Sequence, residues 1–293
     1  IALSFVRNAA DITRVHEIMA EEGRKIPVIA KIEKPQAVDN LEEIVDAFDG
    51  IMVARGDLGV ELPLEAVPIV QKRAVELARR WAKPVIVATQ VLESMITSPR
   101  PTRAEASDCA NAVLDGTDAV MLSGETSVGE YPVVTVQTMA RIISYTESKA
   151  LERITPLDAK PTTKGGAITK AATEIGATLN AKYLVAFTES GESARRMAMF
   201  RNSIPILALT PVEGTYNRLA LSWGVEPGIV PSVSHTDDMV KQVDQYLIDK
   251  REAQVGDTVV IVAGAPPGIP GSTNAVRVHV IGDAAAGRAA AYR

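Results

Sequence analysis

The chain is poor in cysteine, histidine and aromatic residues. Its single cysteine, Cys109, excludes an internal disulfide framework and any metal site built from clustered thiolates. Such sparing use of cysteine fits a reducing compartment. Three histidines, His16, His235 and His279, are scattered without ligand spacing and read as surface or structural residues. Aromatics make up 4% of the 293 residues and hydrophobic residues 46%, so the core has to be aliphatic, built from Val, Ile, Leu and Ala. No apolar run approaches the roughly 20 residues that a membrane span needs, and no secretory leader pattern is visible. A net charge of -5 argues against a general nucleic-acid or membrane-surface binder.

What is present is an alternation of short apolar runs with helical patterns. Strands are predicted over residues 2–6, 27–33, 50–55, 84–89 and 118–122. Helices are predicted from Asn8-Ala-Ala-Asp11 to Gly23, over about 36–48, from after Arg55 to near Trp81, around 92–96, and over 102–114 and 132–151. Five strand–helix units in series are the pattern of a parallel sheet with right-handed crossovers. The polar, proline-bearing stretch 155–164 reads as a linker. A second alternation follows, with helices over 167–179, 194–201, near 216–221 and about 237–251. Its strands are predicted over 183–187, 205–209, 258–262 and 276–281. The expected domains are therefore 1–154 and 155–293, the second a smaller open α/β domain. The Ala-rich tail after Asp283 shows no partner face and receives no role.

Three trios close three of the apolar runs: Lys31-Ile32-Glu33, Arg55-Gly56-Asp57 and Ala88-Thr89-Gln90. Charged residues at the carboxyl ends of parallel strands are where barrel enzymes keep their chemistry. Lys31 and Glu33, two apart on a strand, share a face. One cation and two acids there suit a divalent metal and a phosphorylated substrate. A lysine in so apolar a strand is costly to bury without a purpose, although a salt bridge to Glu33 or Asp57 is a purpose too.

Longer runs carry a resemblance. Ser4-Phe-Val-Arg7, Lys31-Ile-Glu33, Ile51-Met-Val-Ala-Arg-Gly-Asp-Leu-Gly59, Ala88-Thr-Gln-Val-Leu-Glu-Ser-Met95, Pro99-Arg-Pro-Thr-Arg-Ala-Glu105, Ala110-Asn-Ala-Val-Leu-Asp-Gly116 and Met121-Leu-Ser-Gly-Glu-Thr126 resemble the pyruvate kinase family, in order and spacing, over nearly the whole chain. The resemblance implies an α/β fold: the last five units of a (β/α)8 TIM barrel, then the family's α/β C-terminal domain. It implies transfer of a phosphoryl group from phosphoenolpyruvate to ADP, giving pyruvate and ATP in glycolysis, in the cytoplasm and in a homotetramer.

By the same resemblance Glu33 and Asp57 hold Mg2+ or Mn2+, and Lys31 meets the bridging oxygen and the forming enolate. The amides of Gly56 and Asp57 and the hydroxyl of Thr89 receive the substrate carboxylate, and Thr89 delivers a proton to the enolate carbon. A threonine hydroxyl is too weak an acid to be the ultimate donor, so Ser123 and Glu125 are candidates to line a water relay; Ser123 could equally cap the next helix. Arg55-Gly56-Asp57-Leu58-Gly59 reads as a tight turn, with Arg55 orienting the acids. Thr102 and Glu105 suit a capping box in a loop placed, as in relatives, at a subunit contact.

The family's first three barrel units and its lid domain are not found, and the chain begins inside a strand at Ile1. The expectation is a chain that lacks them and is inactive alone. The K+ ligands and much of the nucleotide site would then lie outside it. In the second domain, Thr188, Ser190, Gly191 and Ser193 match a loop that binds a phosphorylated effector in relatives. Glu189 and Glu192 weaken that match, Arg195 and Arg196 offset them, and a capped turn stands level with it. The Gly/Pro-rich residues 264–274 are the kind of loop that covers such a site. Competing readings are a metal-dependent lyase acting on a pyruvate enolate and a non-catalytic effector-binding remnant.

Overall fold

In the computed structural model, residues 1–283 are described apart from Ala159, Pro266 and Pro270; the tail that received no role lies outside the described residues. Two compact units divide the chain, Ile1–Leu157 and Asp158–Arg293.

The first unit is a parallel sheet of β1 (Ala2–Leu3), β2 (Ile29–Ile32), β3 (Gly50–Ala54), β4 (Val85–Ala88) and β5 (Ala119–Met121), in that order. The sheet is open, with β1 and β5 each paired to one neighbour. Between strands run α1 (Ile12–Glu21), α2 (Pro35–Asp39), α3 (Leu41–Ala47), α4 (Arg55–Glu61), α5 (Val67–Arg80) and α6 (Arg103–Asp115). After β5 come α7 (Gly124–Ser127) and α8 (Pro132–Ala150). Alternation along the strands sorts two faces. Ala30, Ile32, Ile51, Val53, Val85 and Val87 pack against the helices in the main core. Met52, Ile86 and Ala88, with Ile29, Ala119 and Met121, form a smaller cluster on the other face. Lys31 is in register with Met52, so it belongs to that second face, and Glu33 follows two residues on.

Several predicted elements are shorter or divided. The single helix expected over 36–48 breaks at Asn40, whose backbone (φ -97°, ψ 22°) leaves helical geometry and whose side-chain amide donates to the Arg7 carbonyl at 2.9 Å. The long helix expected before Trp81 is interrupted because Pro63 forces Leu62 into an extended conformation (φ -119°, ψ 159°). The segment expected as a tight turn, 55–59, is the first part of α4: its two glycines are accommodated in a helix entered directly from β3. The capping boxes at Asn8/Asp11 and Thr102/Glu105 both form as expected.

The second unit holds α9 (Lys164–Leu179), β6 (Tyr183–Phe187), α10 (Glu192–Ala198), β7 (Ile206–Thr210), α11 (Glu213–Leu219), β8 (Val225–Ile229), α12 (Thr236–Asp249), β9 (Thr258–Gly264) and β10 (Thr273–Val280). The sheet order is β10-β9-β6-β7-β8, parallel except for β10. α9 begins three residues before the predicted start because Thr163 caps it, its hydroxyl accepting from Gly166 N at 3.1 Å. β8 was not predicted. Pro227 and Gly228 lie in it, which is tolerated because β8 is an edge strand. Among the described residues no helix is long and apolar enough to cross a membrane.

Candidate active site

The trios named from sequence do end neighbouring strands. Glu33 follows β2 and is 1% exposed. Its carboxylate accepts from Phe5 N at 2.9 Å and forms an ion pair with Lys31. Lys31 Nζ also donates to Ser4 Oγ at 3.1 Å. The salt-bridge alternative for Lys31 is thus realised in this structure, with Glu33 as partner. Ser4 had no assigned role; its signal in the sequence was its place just past the carboxyl end of β1. Asp57 sits in the first turn of α4 and is exposed. Its carboxylate makes no hydrogen bond or ion pair among the described residues.

Thr89 and Gln90 follow β4 with φ of 69° and 52°, both in the left-handed region. For a β-branched threonine that conformation is unusual and persists only where surroundings over-determine it. Thr89 Oγ1 donates to Ala88 O at 2.6 Å and accepts from Gly56 N at 2.8 Å. The amide and hydroxyl assigned to one substrate carboxylate therefore face each other. A β-carbon at Gly56 would lie 3.4 Å from Thr89 Oγ1, an ordinary contact, so the approach of the two residues does not itself demand glycine.

Arg55 does not orient the acids. Its Nη1 reaches both oxygens of Asp108 at 2.7 Å, and its Nε and Nη2 donate to Thr89 O at 3.3 and 2.8 Å. Nη2 also reaches Gln90 O at 3.1 Å. Sequence reasoning missed Asp108, which lies 53 residues away and carries no local signal.

Ser123 precedes α7 without a side-chain capping bond, which removes the capping alternative. Glu125 is 2% exposed; its carboxylate accepts from Ser123 N at 2.7 Å and Leu92 N at 3.3 Å, tying together the loops after β4 and β5. Glu105 accepts from Ser94 N and Oγ and from Thr102 N and Oγ1, at 2.5–2.8 Å. Burial pushes its carboxyl up, but those bonds from Ser94 and Thr102 outweigh burial and hold it below the ordinary glutamate value. Among the described residues no group of three His, Cys, Asp or Glu side chains could hold a metal. Two carboxylates remain a fitting set for Mg2+, a hard cation that commonly takes one or two protein carboxylates and fills its other positions with water and phosphate oxygens.

In the second unit, a cleft of about 90 Å3 opens at the carboxyl ends of β6, β7 and β9. The strand order reverses between β6 and β9, the place where open α/β sheets bind ligands. Thr188, Ser190 and Ser193 line it. Gly191, at φ 83°, supplies its amide to Thr188 Oγ1 at 2.9 Å, and Ser193 Oγ lies 2.7 Å from Thr273 Oγ1. Gln242 also lines the cleft, and its Oε1 is buried without a hydrogen-bond partner. Glu192 is paired with Arg196. His279 is structural: its Nε2 lies 2.6 Å from Asp244 Oδ1, both buried.

Comparisons with known proteins agree with these observations. The family described as "Pyruvate kinase, barrel domain" matches residues 1–136, and "Pyruvate kinase, alpha/beta domain" matches residues 166–279. The chain is 59% identical over 283 residues to a pyruvate kinase of Mycobacterium tuberculosis strain H37Rv, covering 97% of this chain and 60% of that protein. It is 58% identical to a pyruvate kinase of Corynebacterium glutamicum, covering 97% and 59%. A crystal structure of a pyruvate kinase from Cryptosporidium parvum superposes with a TM-score of 0.87 at 36% identity, covering 96% of this chain and 58% of that one. The chain thus spans about 60% of the length of the curated relatives it matches.

Proposed function

The chain belongs to the pyruvate kinase family, and from that premise we propose that it carries part of the site which transfers a phosphoryl group from phosphoenolpyruvate to ADP. The observation that carries this reading is the set of neighbouring strand ends. It places Lys31 near the end of β2 and Glu33 just after it, Gly56 and Asp57 after β3, and Thr89 after β4. We assign catalysis to residues 1–154, and effector binding and self-association to 155–293.

Phosphoryl transfer is mostly positioning and neutralisation of spread negative charge. Glu33 and Asp57 would hold Mg2+ or Mn2+, which when bound polarises the phosphoryl oxygens and offsets their charge. Lys31 places a fixed positive charge beside the forming enolate, at a strand end where Glu33 is already shielded from water. The Gly56 and Asp57 amides, at the first turn of α4, lie where a helix N-terminus favours a carboxylate, with Thr89 Oγ1 beside the Gly56 amide. Thr89 Oγ1 hands a proton to the enolate carbon, re-supplied through water lined by Ser123 and Glu125. K+ is the expected second cation, and no residue here is assigned to it. A phosphorylated effector would occupy the cleft beside Thr188, Ser190, Gly191 and Ser193. A cytoplasmic homotetramer is the proposed state.

The test uses the protein at its natural full length. With phosphoenolpyruvate, ADP and Mg2+ it should release pyruvate and ATP in equal amounts. Pyruvate released by carbon–carbon bond cleavage without nucleotide would establish a lyase instead. Lys31→Ala should lower turnover by about a hundredfold or more, the scale of removing one electrostatic donor, with unchanged circular dichroism.

A further inference from the structure

We propose that Arg55, anchored by Asp108, is the positioning residue that sets the pose of Thr89. The proposal rests on the reading that Thr89 moves the proton to and from the substrate carbon.

Two consecutive non-glycine residues, Thr89 and Gln90, adopt positive φ at the end of β4. Nothing in their own side chains favours this, since neither is Gly, Asn or Asp. Their carbonyls are turned toward one guanidinium: Thr89 O receives Nε and Nη2, and Gln90 O receives Nη2. The other end of the same fork is chelated by Asp108, from α6. The Arg55 side chain is 11% exposed and Asp108 36%, so the bonds to the Thr89 carbonyl are the better shielded from water. A guanidinium presents its donors in a rigid plane and can serve a carboxylate on one edge and carbonyls on another. A lysine ammonium, a single point of charge, cannot span both.

The arrangement has a second point of hold. Gly56, the next residue in the chain, donates its amide to Thr89 Oγ1. Arg55 therefore fixes the Thr89 carbonyl and its neighbour fixes the hydroxyl. The Arg55-Gly56 pair grips the threonine at both ends, and Asp108 keeps the grip from rotating. Arg55 touches neither Glu33 nor Asp57, so its loss should leave the metal ligands in place. A plain strut between α4 and α6 would predict lost stability alone; a positioning role predicts a selective loss of proton transfer.

Arg55→Lys and Asp108→Asn, each in the protein at natural full length, separate these. The readouts are kcat, KM for phosphoenolpyruvate, exchange of the pyruvate methyl protons with solvent, and the Gly56 amide resonance. Arg55→Lys is expected to slow methyl exchange and kcat by about tenfold to a hundredfold, with KM changed far less and the melting temperature nearly kept. The Gly56 amide should lose protection from hydrogen exchange. Asp108→Asn should shift every readout the same way by less, and guanidinium added to Arg55→Ala should restore part of the exchange rate. Methyl exchange and Gly56 protection as in the wild type in both variants would overturn the proposal, as would a loss fully explained by unfolding. A wild-type protein without kinase or exchange activity would instead sink the underlying reading, and the Gly56 amide would still decide whether Arg55 holds Thr89.

Discussion

Glu226 and Glu252 both lie within reach of the Tyr183 hydroxyl, at 3.3 and 3.4 Å. Burial, then the charge of Glu252, pushes the Glu226 carboxyl above its ordinary value, although the tyrosine hydrogen bond works against them. A folded-state value above the unfolded one favours the folded protein most where the group is protonated in both states. That contribution is complete below the ordinary value of 4.5 and is lost as pH rises through the raised folded value. Glu105 has the opposite sign: its depressed value contributes above 4.5 and is lost as pH falls through the folded value. Urea melts across acid pH should therefore diverge. Glu226→Gln should remove a loss of stability on raising pH, and Glu105→Gln should remove a loss on lowering it. Cys109 offers a third residue-scale expectation. Burial, then the charge of Asp108, pushes its thiol up to about 11, with Arg55 opposing. In native protein near pH 7.5 it should react with a disulfide reagent only at the rate of global opening, and promptly in denaturant.

At the scale of elements, what sequence revealed was what neighbouring residues decide. The capping boxes at Asn8 and Thr102 pair residues three apart, so their side chains announce themselves. Thr102→Ala should cost about 1 kcal/mol, read as a lowered melting temperature. The strand ends bearing Lys31, Glu33 and Asp57 were equally legible, because apolar runs stop abruptly at charge. What stayed hidden was tertiary. Pro63 divides a helical pattern whose periodicity alone looked continuous. β8 carries a proline that only its edge position makes acceptable. The left-handed turn at Thr89 depends on Arg55 and Asp108, brought together by folding and not by spacing. Gly50 is another such position. A β-carbon there would lie 2.8 Å from Pro84 O, where β3 starts against the lead-in to β4. Gly50→Ala should destabilise the chain by about 1–3 kcal/mol, measured by the midpoint of chemical unfolding.

At the scale of the whole molecule, two compact units carry two kinds of site. The first unit presents charged strand ends on an open five-stranded sheet. The second presents a cleft where its strand order reverses. The first assignment binds the account together, because the proposed roles of Lys31, Thr89 and the Arg55 grip all require a substrate engaged through a metal ion held by Glu33 and Asp57. The most direct measurement is electron paramagnetic resonance of Mn2+ titrated, with phosphoenolpyruvate, into the protein at natural full length and into Glu33→Gln and Asp57→Asn. The account predicts tight Mn2+ binding to the wild type, weakened roughly tenfold or more in each variant, with the fold retained. Mn2+ bound as tightly by both folded variants as by the wild type would contradict it.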